Sequence, residues 1–148
     1  MHPYLSQDTF LADTTEMGIG MTAYSPLGSP ARPVQAPNDP VLMEETIVID
    51  IAEEHGMTPA QVLLRWGLQR GTVVIPKSAT PSRIKANLEA ATVGEAFQLS
   101  DAEMHSIASL EKGKGDDPKA GRLLTGEFWL KPGQTLNNFW GLEGPVRA

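Results

Sequence analysis

Residues 72–87 read Thr72-Val73-Val74-Ile75-Pro76-Lys77-Ser78-Ala79-Thr80-Pro81-Ser82-Arg83-Ile84-Lys85-Ala86-Asn87. The run opens after Gly71 with four residues rich in β-branched side chains, which predicts a short buried strand over 72–75. Pro76 ends it, because proline has no N–H to give to a sheet ladder. Lys77, Ser78 and Ala79 then form a loop at the strand's C-terminal end. Thr80-Pro81 predicts a helix start: threonine can cap, and proline suits the first helical position, where no N–H is needed. Arg83 lies in that first turn and Asn87 one turn on, so the two share a helix face.

This arrangement suits an anion. Free N–H groups and the positive end of the dipole gather at a helix N-terminus. Lys77, Ser78 and Arg83 add donors around the same point. A cation in a first helical turn is locally unfavourable, and a bound phosphate would offset that. The plainer alternative stays open on these residues alone: a strand, a loop and a capped helix with Lys and Arg on a solvated surface.

Ile75-Pro76-Lys77-Ser78, followed by Pro81, Arg83 and Asn87, resembles the NADP-binding motif of the aldo-keto reductases. Upstream, Thr22-Ala23-Tyr24-Ser25-Pro26-Leu27-Gly28-Ser29-Pro30 is similar to a second block of that family, and His2-Pro3-Tyr4-Leu5 to a third. The three blocks stand in the family's order and spacing, and the resemblance covers residues 1 to about 110. It implies an α/β fold, part of a (β/α)8 TIM barrel. A complete barrel takes about 250 residues, and this chain has 148. The blocks belong to the C-terminal part of the family pattern. The expectation is an incomplete barrel of two parallel strands and about five helices over 1–111, with a linker and tail over 112–148.

Composition is consistent with this. The chain is 41% hydrophobic and 20% charged, as in ordinary globular domains. A net charge of −6 leaves no broad basic field for nucleic acid. There is no cysteine, which excludes disulfides, thiol catalysis and thiolate metal sites within these residues and fits a cytoplasmic location. No signal-peptide pattern and no run of ~18 apolar residues is present, so neither secretion nor a membrane partner is expected.

In chain order, Ser6 reads as the N-cap of a helix over 7–17, with Phe10 and Leu11 inward and Gly18 as its stop. Residues 19–24 read as a strand, weakened by Gly20. Residues 25–40 hold five prolines and read as a long loop: either a stiff surface connection or, by resemblance, a flap over the cofactor pyrophosphate. A helix is predicted over 41–55, with Met43, Ile47, Ile51 and Ala52 inward and Glu44, Glu45, Asp50, Glu53 and Glu54 in water. Gly56 ends it. Thr58-Pro59-Ala60-Gln61 is a capping box opening a helix to about 70, with Val62, Leu63, Trp66 and Leu68 as core. The helix after Thr80 runs to about 91, with Ile84, Leu88 and Ala91 inward. A second capping box, Ser100-Asp101-Ala102-Glu103, opens a helix to about 110, with Met104, Ile107 and Leu110 as its apolar face. The tail carries Phe128, Trp129, Phe139 and Trp140. It either shapes a substrate pocket, as the resemblance suggests, packs on the body, or is poorly ordered.

The resemblance also assigns roles. Tyr24 stacks on the nicotinamide of NADP(H), the alternative being a buried core tyrosine. Ser25, Leu27, Gly28 and Ser29 cradle the pyrophosphate. Lys77, Ser78 and Arg83 hold the 2′-phosphate, Thr80 caps the helix and touches that phosphate, and Asn87 meets the adenine. Three positions depart from the pattern: Ala86 and Ala31 where acidic residues are common, and Val34 where a Trp often stands. The family's catalytic Tyr, Lys, Asp and His come from its N-terminal half. No such motif, no nucleophile–base pair and no metal cluster is recognised here, so no catalytic residue is assigned. His2, His55 and His105 read as surface or incidental. The implied activity is an NADP-dependent oxidoreductase acting on a small carbonyl or alcohol. The chain would be a fragment, the partner of a complementary N-terminal half, or a pared-down nucleotide-binding or interaction module.

Overall fold

The computed structural model describes residues 1–29, 40–92 and 97–112. The elements run α1 (Asp8–Glu16), β1 (Thr22–Ala23), a 3₁₀ turn (Leu42–Glu44), α2 (Thr46–Glu54), α3 (Pro59–Gln69), β2 (Val73–Val74), α4 (Pro81–Thr92) and α5 (Asp101–Ala108). Two parallel strands and five α-helices are thus present among the described residues, as the sequence predicts. Residues 30–39 of the predicted flap and the tail beyond 112 lie outside them, as do Ala31 and Val34.

α3 is the centre. Its start is a capping box in which Thr58 and Gln61 each accept from the other's backbone, with proline at the opening position. Residues 61–67 are all buried, so this helix is enclosed on every side rather than along one stripe. Val62, Leu63 and Trp66 meet Leu42, Val48, Ile51, Phe97, Leu99 and Ile107 in one core. Leu68, expected in that core, is only half-buried. Trp66 donates its indole N–H to the Met104 carbonyl at 3.3 Å. The Gln69 carboxamide pairs both ways with the Leu99 backbone, at 2.9 and 2.8 Å.

Three helices end alike. After α1, α2 and α3, a glycine at positive φ (Gly18, Gly56, Gly71) turns the chain back. The residue beyond it donates to the carbonyl four places before the glycine, as in Met57 to Ala52 and Thr72 to Gly67. This satisfies carbonyls that the helix leaves open, in the left-handed conformation that only glycine adopts freely.

Several local expectations are corrected. Ser6 is buried and does not cap α1; Gln7 holds that place in a left-handed conformation without a side-chain cap. Phe10 points outward, and Thr14 is the buried residue of α1. The helix expected over 41–55 breaks at Glu45, whose backbone is extended. Ile51 and Ala52 are buried as expected, Met43 and Ile47 pack partly buried on the core, and Leu42 and Val48 join them. Glu45 is half-buried and accepts from the Tyr4 hydroxyl. Lys112 sits 4.0 Å over the Tyr4 ring and 3.8 Å from Glu45, which ties the end of the described chain to its start. His2 is buried, and His55 bonds Glu103 at 2.6 Å; of the three histidines only His105 is exposed.

The sheet departs most. β1 spans two residues of the six predicted. Thr72 and Val74 turn toward α3, whereas Val73 (58% exposed) and Ile75 (48%) face outward, so the expected buried strand is open on one face. Alternation along a strand sends neighbours to opposite faces, and burial on both faces needs cover on both. In α4, Ile84, Leu88 and Ala91 form the predicted stripe, but it looks outward; Ala90 is the buried residue. No helix among the described residues is long and apolar enough to cross a membrane.

Candidate functional site

β1 and β2 pair in parallel with Thr22 opposite Val73 and Ala23 opposite Val74. Both strands therefore end at the same level, and the loops that follow them leave side by side. The first carries Tyr24, Ser25, Leu27, Gly28 and Ser29; the second carries Lys77, Ser78 and Thr80 and runs into α4.

The first loop is a tight turn. Gly28 donates to the Ser25 carbonyl at 3.0 Å. Pro26 is buried and Leu27 packs on the core, so the turn is pinned from inside. A Cβ at Gly28, whose φ is +73°, would meet Leu42 at 3.4 Å. Ser25 and Ser29 are also left-handed, with φ of 55° and 50°. Non-glycine residues persist there only where the surroundings impose it, and such strain gathers at ligand sites. Tyr24 is 64% exposed, which removes the alternative of a buried core tyrosine.

In the second loop, Ser78 Oγ accepts from the Thr80 N–H at 3.1 Å. The Thr80 carbonyl accepts from Ile84 at 3.0 Å and starts α4. The Ser78 hydroxyl proton remains available to donate. An open cleft of ≈ 560 Å³ lies between this loop and α4. Lys77, Ser78 and Asn87 supply its polar lining, and Val74, Pro76, Ile84, Leu88 and Ala91 its apolar wall.

The structure thus brings Lys77, Ser78 and Asn87 together. Thr80 and Arg83 do not line the cleft, although both are exposed beside it. At about 100° per residue, Arg83 lies about 40° round α4 from Asn87, at the rim. Lys85 pairs with Glu89 at 3.7 Å. Among the described residues neither Lys77 nor Arg83 is ion-paired. Tyr24, Ser25, Leu27, Gly28 and Ser29 stand at the neighbouring strand end and do not line this cleft.

Sequence reasoning missed two features. Ile84 and Leu88 carry a helical stripe that reads as core, and nothing local distinguishes a cleft wall from a packed face. Gln61 reads as a cap only, yet its amide N–H also donates to the Ala86 carbonyl of α4 at 3.2 Å.

A sequence model of the Aldo/keto reductase family matches residues 1–112. Aldo/keto reductase slr0942 of Synechocystis sp. is 43% identical over 144 residues, 95% of this chain and 41% of that protein. Aldo-keto reductase family 1 member A1 of Cricetulus griseus is 48% identical over 111 residues, and the Homo sapiens protein of the same name 46%, each match covering 75% of this chain and 33% of the relative. The chain therefore spans about a third to two-fifths of the length of these curated relatives. The Synechocystis match extends well past residue 112, further than the motifs alone reach. With three motif blocks in place, parallel strand ends side by side and most of the residues matched, the chain belongs to the aldo/keto reductase family.

Proposed function

We propose that this chain is the dinucleotide-binding part of an NADP(H)-dependent oxidoreductase, a C-terminal portion of a (β/α)8 barrel acting on a small aldehyde, ketone or alcohol. The observation that carries the reading is the parallel β1–β2 register, which sets the two motif loops next to each other at the strand ends. Active sites of such barrels lie on that face.

The residues present fit the cofactor. Two cations with no ion-pair partner among the described residues and the Ser78 hydroxyl match a phosphate; an apolar wall beside Asn87 matches a flat adenine. Lys77, Ser78, Thr80 and Arg83 hold the 2′-phosphate, and Asn87 the adenine. Arg83 offers a planar fork that can bond phosphate in two places. Ser25, Leu27, Gly28 and Ser29 line the pyrophosphate, and the exposed Tyr24 ring offers a face to the nicotinamide. When bound, NADP(H) supplies or accepts the hydride. We assign no proton donor within residues 1–148; it comes from a complementary N-terminal portion.

The test is titration of the purified chain with NADPH and NADH, followed by addition of a generic aldehyde. NADPH is expected to bind more tightly than NADH, without NADPH consumption. Equal affinities remove the 2′-phosphate role, no binding removes the site, and turnover by the chain alone removes the missing proton donor.

A further inference from the structure

Gln61 is buried at the third position of α3, and its two amide atoms do different work. Oε1 accepts from the Thr58 N–H at 2.9 Å and from the Thr58 hydroxyl at 3.0 Å. A glutamate would serve there equally, since a capping box asks only for an acceptor. Nε2 does what glutamate cannot: it donates across to the Ala86 carbonyl, 3.2 Å away.

Ala86 lies mid-helix in α4, one residue before Asn87 and three after Arg83. A mid-helix carbonyl already accepts from four residues on, so the Gln61 bond uses its second lone pair. α4 packs closely along α3, but mostly through small or partly exposed side chains. Its one buried residue is Ala90, while Ile84 and Leu88 are 52% and 63% exposed. An alanine contact is small and non-directional, and tolerates sliding. A slip of one residue, about 1.5 Å and about 100°, would carry Asn87 out of the cleft.

We propose that Gln61 is a positioning residue for the dinucleotide site: its carboxamide locks α4 onto α3 and so holds Arg83 and Asn87 where the 2′-phosphate and adenine bind. This rests on the cofactor reading above. Three substitutions test it. Gln61→Glu keeps the cap acceptor and loses the donor. Gln61→Met loses the donor and the cap acceptor together, without adding charge, and Thr58→Ala serves as the control for the cap. Thr58→Ala damages the cap but leaves the bond to α4.

Each is titrated with NADPH and NADH and melted in parallel. Both Gln61 variants should weaken NADPH about 3- to 10-fold, as loss of one hydrogen bond implies. NADH should change less, so the preference narrows. Thr58→Ala should lower the melting temperature yet keep the wild-type preference. If the wild type prefers NADPH and Gln61→Met keeps that preference in full, the positioning role is overturned and the cofactor reading stands. Narrowing in Gln61→Glu alone is a charge effect and also overturns it. If the wild type binds neither dinucleotide, the cofactor reading falls and this role with it. Should Gln61→Glu not fold, the Gln61→Met ratio decides.

Discussion

Gly67→Ala tests how closely α3 lies on the sheet. In a helix interior, alanine is ordinarily more stable than glycine by about 1 kcal/mol. Here a Cβ at Gly67 would stand 2.8 Å from Val74 Cγ1 and 3.4 Å from Thr72 Oγ1. Carbon atoms prefer about 3.5–4.0 Å, so helix or strand must retreat. Such overpacking costs about 1–3 kcal/mol. The net expectation runs from neutral to about 2 kcal/mol destabilising. Val74→Ala removes the atom in the way, at a cost of about 1 kcal/mol for a half-buried side chain. In that background Gly67→Ala should instead stabilise, by up to about 1 kcal/mol. The four proteins of the cycle would be unfolded in urea and followed by tryptophan fluorescence, with coupling of about 1–3 kcal/mol expected. Because Val74 also lines the cleft, Gly67→Ala alone should weaken NADPH binding. An additive cycle, or stabilisation in both backgrounds, would refute the close approach.

Two further outcomes follow from named groups. Arg83→Ala should weaken NADPH by about 1.5–3 kcal/mol, the worth of a charge-assisted hydrogen bond, while NADH barely changes; equal losses for both count against a 2′-phosphate contact. Burial acts to raise the Glu103 carboxyl's pKa, but bonds from the Ser100 hydroxyl and N–H and the contact with His55 outweigh it, leaving a net value below the ordinary 4.5. The group therefore contributes stability that is present above pH 4.5 and lost as pH falls through its lower folded value. Unfolding free energy measured from pH 7 downward should fall more steeply in wild type than in Glu103→Gln, and matching slopes would contradict this.

Legibility in the sequence followed the range of the interaction. Both capping boxes formed as read, because Thr58 with Gln61 and Ser100 with Glu103 act within one helical turn. The glycine stops at Gly18 and Gly56 were equally local. The three motif blocks identified the family without coordinates. The break at Glu45 was not legible, since Glu45 is held by Tyr4, 41 residues away. Of the candidate site, Lys77, Ser78 and Asn87 line one cleft, while Arg83 and Thr80 stand beside it.

Taken alone, the order of residues determines where α3, α4 and α5 begin and where the first three helices stop, which strand ends carry the basic loop and which family the chain belongs to, because caps, turns and motifs act over a few residues. Whether Ile84, Leu88, Val73 and Ile75 are core or open surface was decided only in three dimensions. Apolar periodicity names a face, but burial depends on what another part of the fold sets against it: Val74 lies against α3 and Ala90 is buried, while Val73, Ile75, Ile84 and Leu88 stay exposed.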